Sequence, residues 1–336
     1  MNETQHKDFS FLKEAIRQRA STFNHHLGTY LPDKEPKHLY DASRHLPLSG
    51  GKRLRPVITM LATEALTGTY EQSMPFAAAL EIMHNFTLVH DDIMDNADLR
   101  RGSPTVHSEY GLPTALLAGD CLFAISFQAT LRLKVPPTEF KTLQEQFITC
   151  IIDICEGQQE DMDFEERKIV SEEEYMQMIK KKTAVLFALA SRSAGIITHS
   201  TKEQIGALDS YGYSLGLAFQ IWDDYLDMSS TAETLGKDIG NDIRNGKKTL
   251  IAVHALRNAQ AEDKEILDRI FGNRNATDEE IQQVHGVFDR TGSINYAKDT
   301  AIEYNEKAKE ALRVLPQSEA KEILTLLADY AIQRTH

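Results

Sequence analysis

The chain has 336 residues, 41% of them hydrophobic, enough for one large or two medium domains with a substantial core. Its 37 basic and 50 acidic side chains give a formal net charge of -13, which argues against a general nucleic-acid binder and for a soluble chain. The N-terminal MNETQHKDFSF lacks the order of a signal peptide, no window reaches the ~18 apolar residues of a membrane span, and Cys121, Cys150 and Cys155 lack metal-ligand spacing, so a cytoplasmic protein with buried thiols is expected.

In chain order, apolar residues recurring at three and four predict helices over 9–29 and 36–47, then a basic turn, GGKRLRP, with Lys52, Arg53 and Arg55, opening a helix over 53–67. The next helix, 74–97, is apolar for most of its length but ends in LVHDDIMDNADLRRG, Leu88 to Gly102. Helices over 113–133, 138–163, 172–196 and 202–228 follow; the third carries KKKT with Lys182 and Thr183, and the fourth ends in FQIWDDYLD. Ser229 to Thr249 is polar, with three glycines and four Lys/Arg, and reads as a long mobile loop of the kind that forms active-site lids. Helices over 247–258, 277–290, 292–313 and 317–333 complete an all-α chain that reads as one domain over 1–336. Ser171 with Glu174, Thr201 with Gln204 and Thr277 with Glu280 have the spacing of capping boxes.

The carboxylates pose a physical problem. An isolated buried carboxylate costs several kcal/mol, so acid on apolar helices implies either solvent or a cation. Asp91 and Asp95 are four apart and share a helix face, with Asp92 to the side; Asp223, Asp224 and Asp227 repeat the arrangement 132 residues later. Oxygen-only donors without His or Cys suit Mg²⁺, which usually binds one or two carboxylates together with substrate phosphates. Cationic groups for such a phosphate stand nearby in sequence: Lys52, Arg53 and Arg55, then Arg100 and Arg101, then Lys182, and in the loop Lys237, Lys247 and Lys248. No G-x-x-x-x-G-K-[ST] loop occurs, so a nucleotide-hydrolysing P-loop site is not expected.

From about residue 45 onward the chain resembles the trans-isoprenyl diphosphate synthases of the polyprenyl synthetase family, through GGKRLRP, EIMHNFTLVHDDIMDNADLRRG, AGD, the Lys182–Thr183 pair, FQIWDDYLD and GKDIGNDIRNGKKTL in that order. The resemblance implies a large helical bundle with a central active-site cavity, usually a homodimer, that condenses isopentenyl diphosphate with allylic diphosphates. It implies that Lys52, Arg55, His84 and Arg101 hold isopentenyl diphosphate, and that Arg100, Lys182, Thr183, Gln220, Lys237 and Lys247 hold the allylic diphosphate. Asp91, Asp95 and Asp223, with Asp227, would ligate three magnesium ions. Asp91, Asp95, Arg100, Lys182, Asp223 and Lys237 would act on the leaving group. Which of Lys247 and Lys248 meets phosphate is left open. A terpene cyclase and a noncatalytic partner subunit are disfavoured by GGKRLRP and by two intact D-D-x-x-D clusters.

Product length turns on the residues before the first cluster. Ideal helical geometry places Thr87 most nearly beneath Asp91, whereas the resemblance points to Phe86, the fifth position before the motif, where an aromatic side chain goes with short products. DDIMD carries no two-residue insertion, unlike the bacterial type of farnesyl synthase, and only one aromatic residue precedes it closely; by the resemblance this favours geranylgeranyl diphosphate, C20, over farnesyl diphosphate, C15, or longer chains.

Overall fold

The structure, a computed structural model, describes residues 9–229 and 237–333. Its helices run, in chain order, α1 Ser10–Leu27, α2 Lys37–Leu48, α3 Leu54–Thr67, α4 Met74–Met94, α5 Val106–Tyr110, α6 Leu112–Thr130, α7 Pro137–Glu166, α8 Glu172–Ile179, α9 Val185–Ile197, α10 Lys202–Ser229, α11 Lys237–Asn245, α12 Leu250–Asn258, α13 Ala261–Ile270, α14 Asp278–Arg290, α15 Ser293–Ala311 and α16 Glu319–Ala331. A π-helical turn, Lys180–Ala184, joins α8 to α9, and a two-residue ladder, β1 Leu99–Arg100 with β2 Ser103–Pro104, is the sheet among the described residues. The protein is therefore all-α.

Two compact units emerge. The first comprises residues 1–143, 190–206 and 314–326. In it α3 and α4 are buried almost all round, through Val57 to Ala62 and Phe76 to Met83, because both sequences are apolar on every face and only a central position satisfies them. Helix α4 lies on α6, where Gly119 lets the His90 imidazole sit against the helix surface; a Cβ there would collide with the ring. Arg19 of α1 forks onto Glu64 of α3 at 2.9 and 3.0 Å, and Thr59 Oγ1 donates to the Ala190 carbonyl at 2.8 Å.

The second unit comprises residues 144–189, 207–313 and 327–336. Its core joins Tyr175, Met178 and Ile179 of α8 to Ile221 and Trp222 of α10, Leu250 to Val253 of α12 and Val284, Val287 and Phe288 of α14. Capping boxes fix the starts of α8 and α14, at Ser171 with Glu174 and at Thr277 with Glu280. The third expected box, Thr201 with Gln204, forms reciprocally in the first unit at 3.1 and 3.2 Å.

Several expectations need correction. The helix expected over 172–196 is broken by the π-turn, and α5 and α13 were read as connections because one is too short and the other too polar to show a clear apolar stripe. The loop expected over Ser229–Thr249 contains α11, while 230–236 lie outside the described residues; polar composition concealed this helix, in which Ile243 is buried. Helix α4 stops at Met94, with Asp95 as its C-cap. Helix α6 spans 19 residues at a mean hydropathy of 1.4, so by length and composition alone it could cross a membrane, contrary to the expectation that no window would. Its Ala115, Ala118, Leu122 and Ser126 are buried. Of the thiols only Cys150 is buried; Cys155 is exposed and Cys121 half-buried, and none of the three is in a disulfide.

Close helix approach in the second unit is enforced by Gly216 of α10, where an added Cβ would lie 2.6 Å from the Ala184 Cα of the π-turn. That contact is backbone, so relief requires the helices to move apart. Gly216→Ala is expected to destabilise the protein by about 1–3 kcal/mol despite alanine's better helix propensity. An unchanged urea midpoint would show that the crossing is looser than described.

Candidate functional site

In the first unit the candidate residues gather around the start of α3, the last turns of α4 and the β1–β2 hairpin. Gly50 and Gly51 adopt φ of 99° and 135°, and Arg53, the residue before α3, is held left-handed at φ 50°. Pro56 fits the first turn of α3, where its missing N–H is not needed. Lys52 is exposed at the loop, whereas Arg55 turns inward so that its NH1 donates to His84 Nε2 at 3.0 Å. Since a guanidinium only donates, His84 Nε2 must accept and Nδ1 carries the proton. Burial lowers the His84 pKa well below its ordinary value, and Arg55, Arg101, Arg100 and Arg53 lower it further. His84 is therefore a neutral imidazole amid cations.

The hairpin delivers Arg100 and Arg101 by turn chemistry. Arg100 pairs with Ser103, and the two residues between them, Arg101 and Gly102, have φ of 55° and 78°, the type I′ pattern of a two-residue loop. From this apex Arg101 NH1 donates to the Gly50 carbonyl at 2.9 Å and lies 2.5 Å from where a Cβ on Gly51 would be. Arg100 turns instead to Asp92, reaching Oδ1 with Nε and NH2, both at 2.7 Å. Asp92 is 1% exposed and its Oδ2 is buried without a hydrogen-bond partner; burial raises its pKa, against the pull of Arg100. The outer pair is placed differently. Asp91 is half-buried and Asp95 exposed, and the Asp95 N–H donates to the Asp91 carbonyl at 2.8 Å, so the helical spacing is retained at the helix end.

The second unit repeats this arrangement with other partners. Asp224 is 6% exposed, accepting from the Tyr175 hydroxyl at 2.9 Å and from Gln220 Nε2 at 3.1 Å, while Gln220 Oε1 accepts from Thr183 Oγ1 at 3.0 Å. Asp223 is half-buried and Asp227 exposed. The π-turn brings Lys182 to Asp161 of α7, Nζ to Oδ2 2.5 Å, and Gly157 one turn earlier leaves room for the Lys182 backbone. Lys247 Nζ faces Asp242 at 3.6 Å. Burial works against the Lys247 charge, but Asp224, Asp242, Asp161 and Asp227 outweigh it and raise its pKa. Lys248 points elsewhere, donating to the Gly246 carbonyl at 2.7 Å over the Phe271 ring, with its pKa lowered by burial. Of the two lysines, Lys247 faces the acidic group. Lys237 opens α11, and its side chain lies outside the described residues.

Sequence reading did not single out Glu81, Asp161 or Tyr175. Glu81 is a buried acid on an apolar helix, and Gly157, four before Asp161 inside a long helix, marks a close approach; both are usable signals. Among the described residues no three His, Cys, Asp or Glu side chains form a ready-made metal cage. Mg²⁺ needs none: Asp91 and Asp95 offer carboxylate oxygens one turn apart, a donor set suited to a hard cation that keeps substrate oxygens and water as its other ligands. Phe86 is half-buried, its ring 5.0 Å from His90 and 5.4 Å from Phe123, whereas Thr87 turns its hydroxyl back to the His84 carbonyl at 2.8 Å.

The chain is similar to known proteins over nearly its whole length. The family model described as polyprenyl synthetase matches residues 36–287. A short chain isoprenyl diphosphate synthase of Methanothermobacter thermautotrophicus is 42% identical, over 96% of this chain and 98% of its own. A geranylgeranyl pyrophosphate synthase of Geoglobus acetivorans is also 42% identical, over 97% of this chain and 100% of its own. The crystal structure of geranylgeranyl pyrophosphate synthetase from Pyrococcus horikoshii superposes with a TM-score of 0.92 at 41% identity, covering 98% of this chain and 100% of that one.

Asp224 supplies a pH test. Burial lifts its pKa from 3.8 to about 6, and Asp242 adds to the rise, while Lys247, Tyr175 and Gln220 oppose it. Between about pH 4 and 6 the folded chain keeps a proton that the unfolded chain releases, so this group's contribution makes stability fall as pH rises through that window. Asp224→Asn should flatten the fall, read by urea denaturation at several pH values. An identical slope in wild type and variant would contradict the assignment.

Proposed function

The chain belongs to the polyprenyl synthetase family, and we propose that it is a magnesium-dependent prenyltransferase joining isopentenyl diphosphate head to tail to dimethylallyl, geranyl and farnesyl diphosphates, ending at geranylgeranyl diphosphate and releasing pyrophosphate at each step. The observation that carries this reading is the doubling of one device: in each unit an outer carboxylate pair flanks an inward-turned aspartate, beside its own cationic groups. A reaction that uses two diphosphates and must neutralise a leaving pyrophosphate requires such a supply of opposed charge.

Lys52, Arg55, His84 and Arg101 hold isopentenyl diphosphate, His84 as a neutral group that positions Arg55 without adding charge. Arg100, Lys182, Thr183, Gln220, Lys237 and Lys247 hold the allylic diphosphate. Asp91, Asp95, Asp223 and Asp227 hold magnesium, three ions in all, which when bound supplies positive charge to the leaving pyrophosphate. The allylic C–O bond breaks and its electron pair leaves with pyrophosphate. The double bond of isopentenyl diphosphate then supplies the pair for the new C–C bond, and a proton is lost to the released pyrophosphate. Arginine and lysine already fixed by Asp92 and Asp161 need little reorganisation as the negative charge develops.

The whole chain works as one synthetase domain and as a homodimer. The dimer is supported by α6, whose Leu116, Leu117 and Phe123 are exposed. A formal charge of -13 and three cysteines outside any disulfide support a soluble cytoplasmic enzyme.

Incubating the purified chain with dimethylallyl and isopentenyl diphosphates and Mg²⁺ should yield geranylgeranyl diphosphate as the main product. A cyclic hydrocarbon, or no product from the chain alone, would overturn the reading. Asp91→Ala and Asp223→Ala should each lower turnover by orders of magnitude with the helical circular dichroism retained. Near-wild-type turnover in either at saturating Mg²⁺ would remove that residue from the metal set. Phe86→Ala should open the space beside Phe123 and lengthen products beyond C20, and an unchanged product distribution from an active variant would show that Phe86 is not the stop.

A further inference from the structure

Arg53 stands in the middle of the basic run GGKRLRP but faces away from its neighbours. Its side chain is 1% exposed, and each of its three nitrogens is engaged: Nε donates to Asn24 Oδ1 at 2.8 Å, NH1 to Glu81 Oε1 at 2.6 Å and NH2 to the Pro47 carbonyl at 2.5 Å. Those partners belong to α1, α2 and α4, so one guanidinium ties three helices to the loop that carries Lys52. Its backbone is left-handed at φ 50°, a conformation unfavourable for a non-glycine residue, and it follows Gly50 and Gly51, which are also at positive φ. Such a loop has little shape of its own. Glu81, in turn, lies three residues before His84 on α4, and its backbone carbonyl accepts from Asn85 Nδ2 at 2.7 Å.

We infer that Arg53 and Glu81 form a buried strut that sets the geometry of the isopentenyl diphosphate pocket, making Arg53 a positioning residue for the second substrate and not a phosphate ligand. The inference rests on the proposed function, and specifically on Lys52, Arg55, His84 and Arg101 receiving that diphosphate. Charge is the informative feature. A buried ion pair is often no more stabilising than apolar residues of the same volume, so stability alone does not account for it. A rigid planar fork that fixes the loop against three helices at once is something no apolar side chain or lysine reproduces. The pair also brings no net charge beneath the pocket, leaving the diphosphate to the outward cations.

The test separates stability from substrate selectivity. Replacing both charges together, Arg53→Met with Glu81→Leu, should leave the melting temperature within a few degrees of wild type. It should raise KM for isopentenyl diphosphate about tenfold or more and leave KM for the allylic substrate within about twofold. Arg53→Lys should shift the same KM in the same direction. Asn24→Ala, which removes one of the three bonds, should raise it about two- to threefold with the same selectivity. A folded double variant with an unchanged isopentenyl KM, or with both KM values raised equally, overturns the inference. If the double variant does not fold, Asn24→Ala decides: a rise in isopentenyl KM alone supports the strut, and no rise overturns it. Wild-type turnover of the two substrates is the control. Its absence would sink the proposed function and the strut with it, whereas normal wild-type turnover beside unshifted variants would sink the strut alone.

Discussion

Every charged side chain carried into the helical core needs a polar partner there, and this constraint decides where the motifs point. Each D-D-x-x-D cluster has three aspartates, and one of them is enclosed by protein. Asp92 lies beneath Arg100, and Asp224 beneath Tyr175 and Gln220. The outer members, Asp91 and Asp95, or Asp223 and Asp227, lie toward the helix end with greater access to solvent. A three-aspartate motif thus divides into an outer pair of carboxylates nearer solvent and one internal carboxylate that holds a neighbouring donor.

The cations follow the same rule. Lys182 rests on Asp161, Arg53 on Glu81, Arg100 on Asp92, and Lys247 faces Asp242. Each is held by a carboxylate before any diphosphate arrives, so its position is fixed at folding instead of at the moment of reaction. Burial opposes the charged form of both Lys247 and His84: carboxylates around Lys247 outweigh it and raise that pKa, whereas arginines around His84 add to it and lower that one further. A charged lysine and a neutral imidazole result.

Much of this was legible in the sequence. The long apolar helices, the three capping boxes, the duplicated aspartate spacing and the basic turn before α3 were read in place, because periodicity, caps and spacing are local properties. What escaped was set by tertiary contact. The π-turn at Lys180–Ala184 lies in a segment whose apolar pattern reads as continuous helix. Helices α11 and α13 are too polar to announce themselves. Sequence alone left Lys247 and Lys248 equivalent; folding separates them, turning one to an acidic group and the other to a carbonyl beside Phe271. In sequence Arg53 is one more cation of the basic run; in the fold its side chain is buried and turned to Asn24, Glu81 and Pro47.

The central claim is that acid persists on these apolar helices because a metal diphosphate docks there. Calorimetric titration of inorganic pyrophosphate, with and without Mg²⁺, tests it most directly in the wild type beside Asp91→Asn and Asp223→Asn. Binding should require Mg²⁺ and weaken by an order of magnitude or more in each variant. Equal affinity in the presence of a chelator, or unchanged Mg²⁺-dependent affinity in both variants, would contradict the claim.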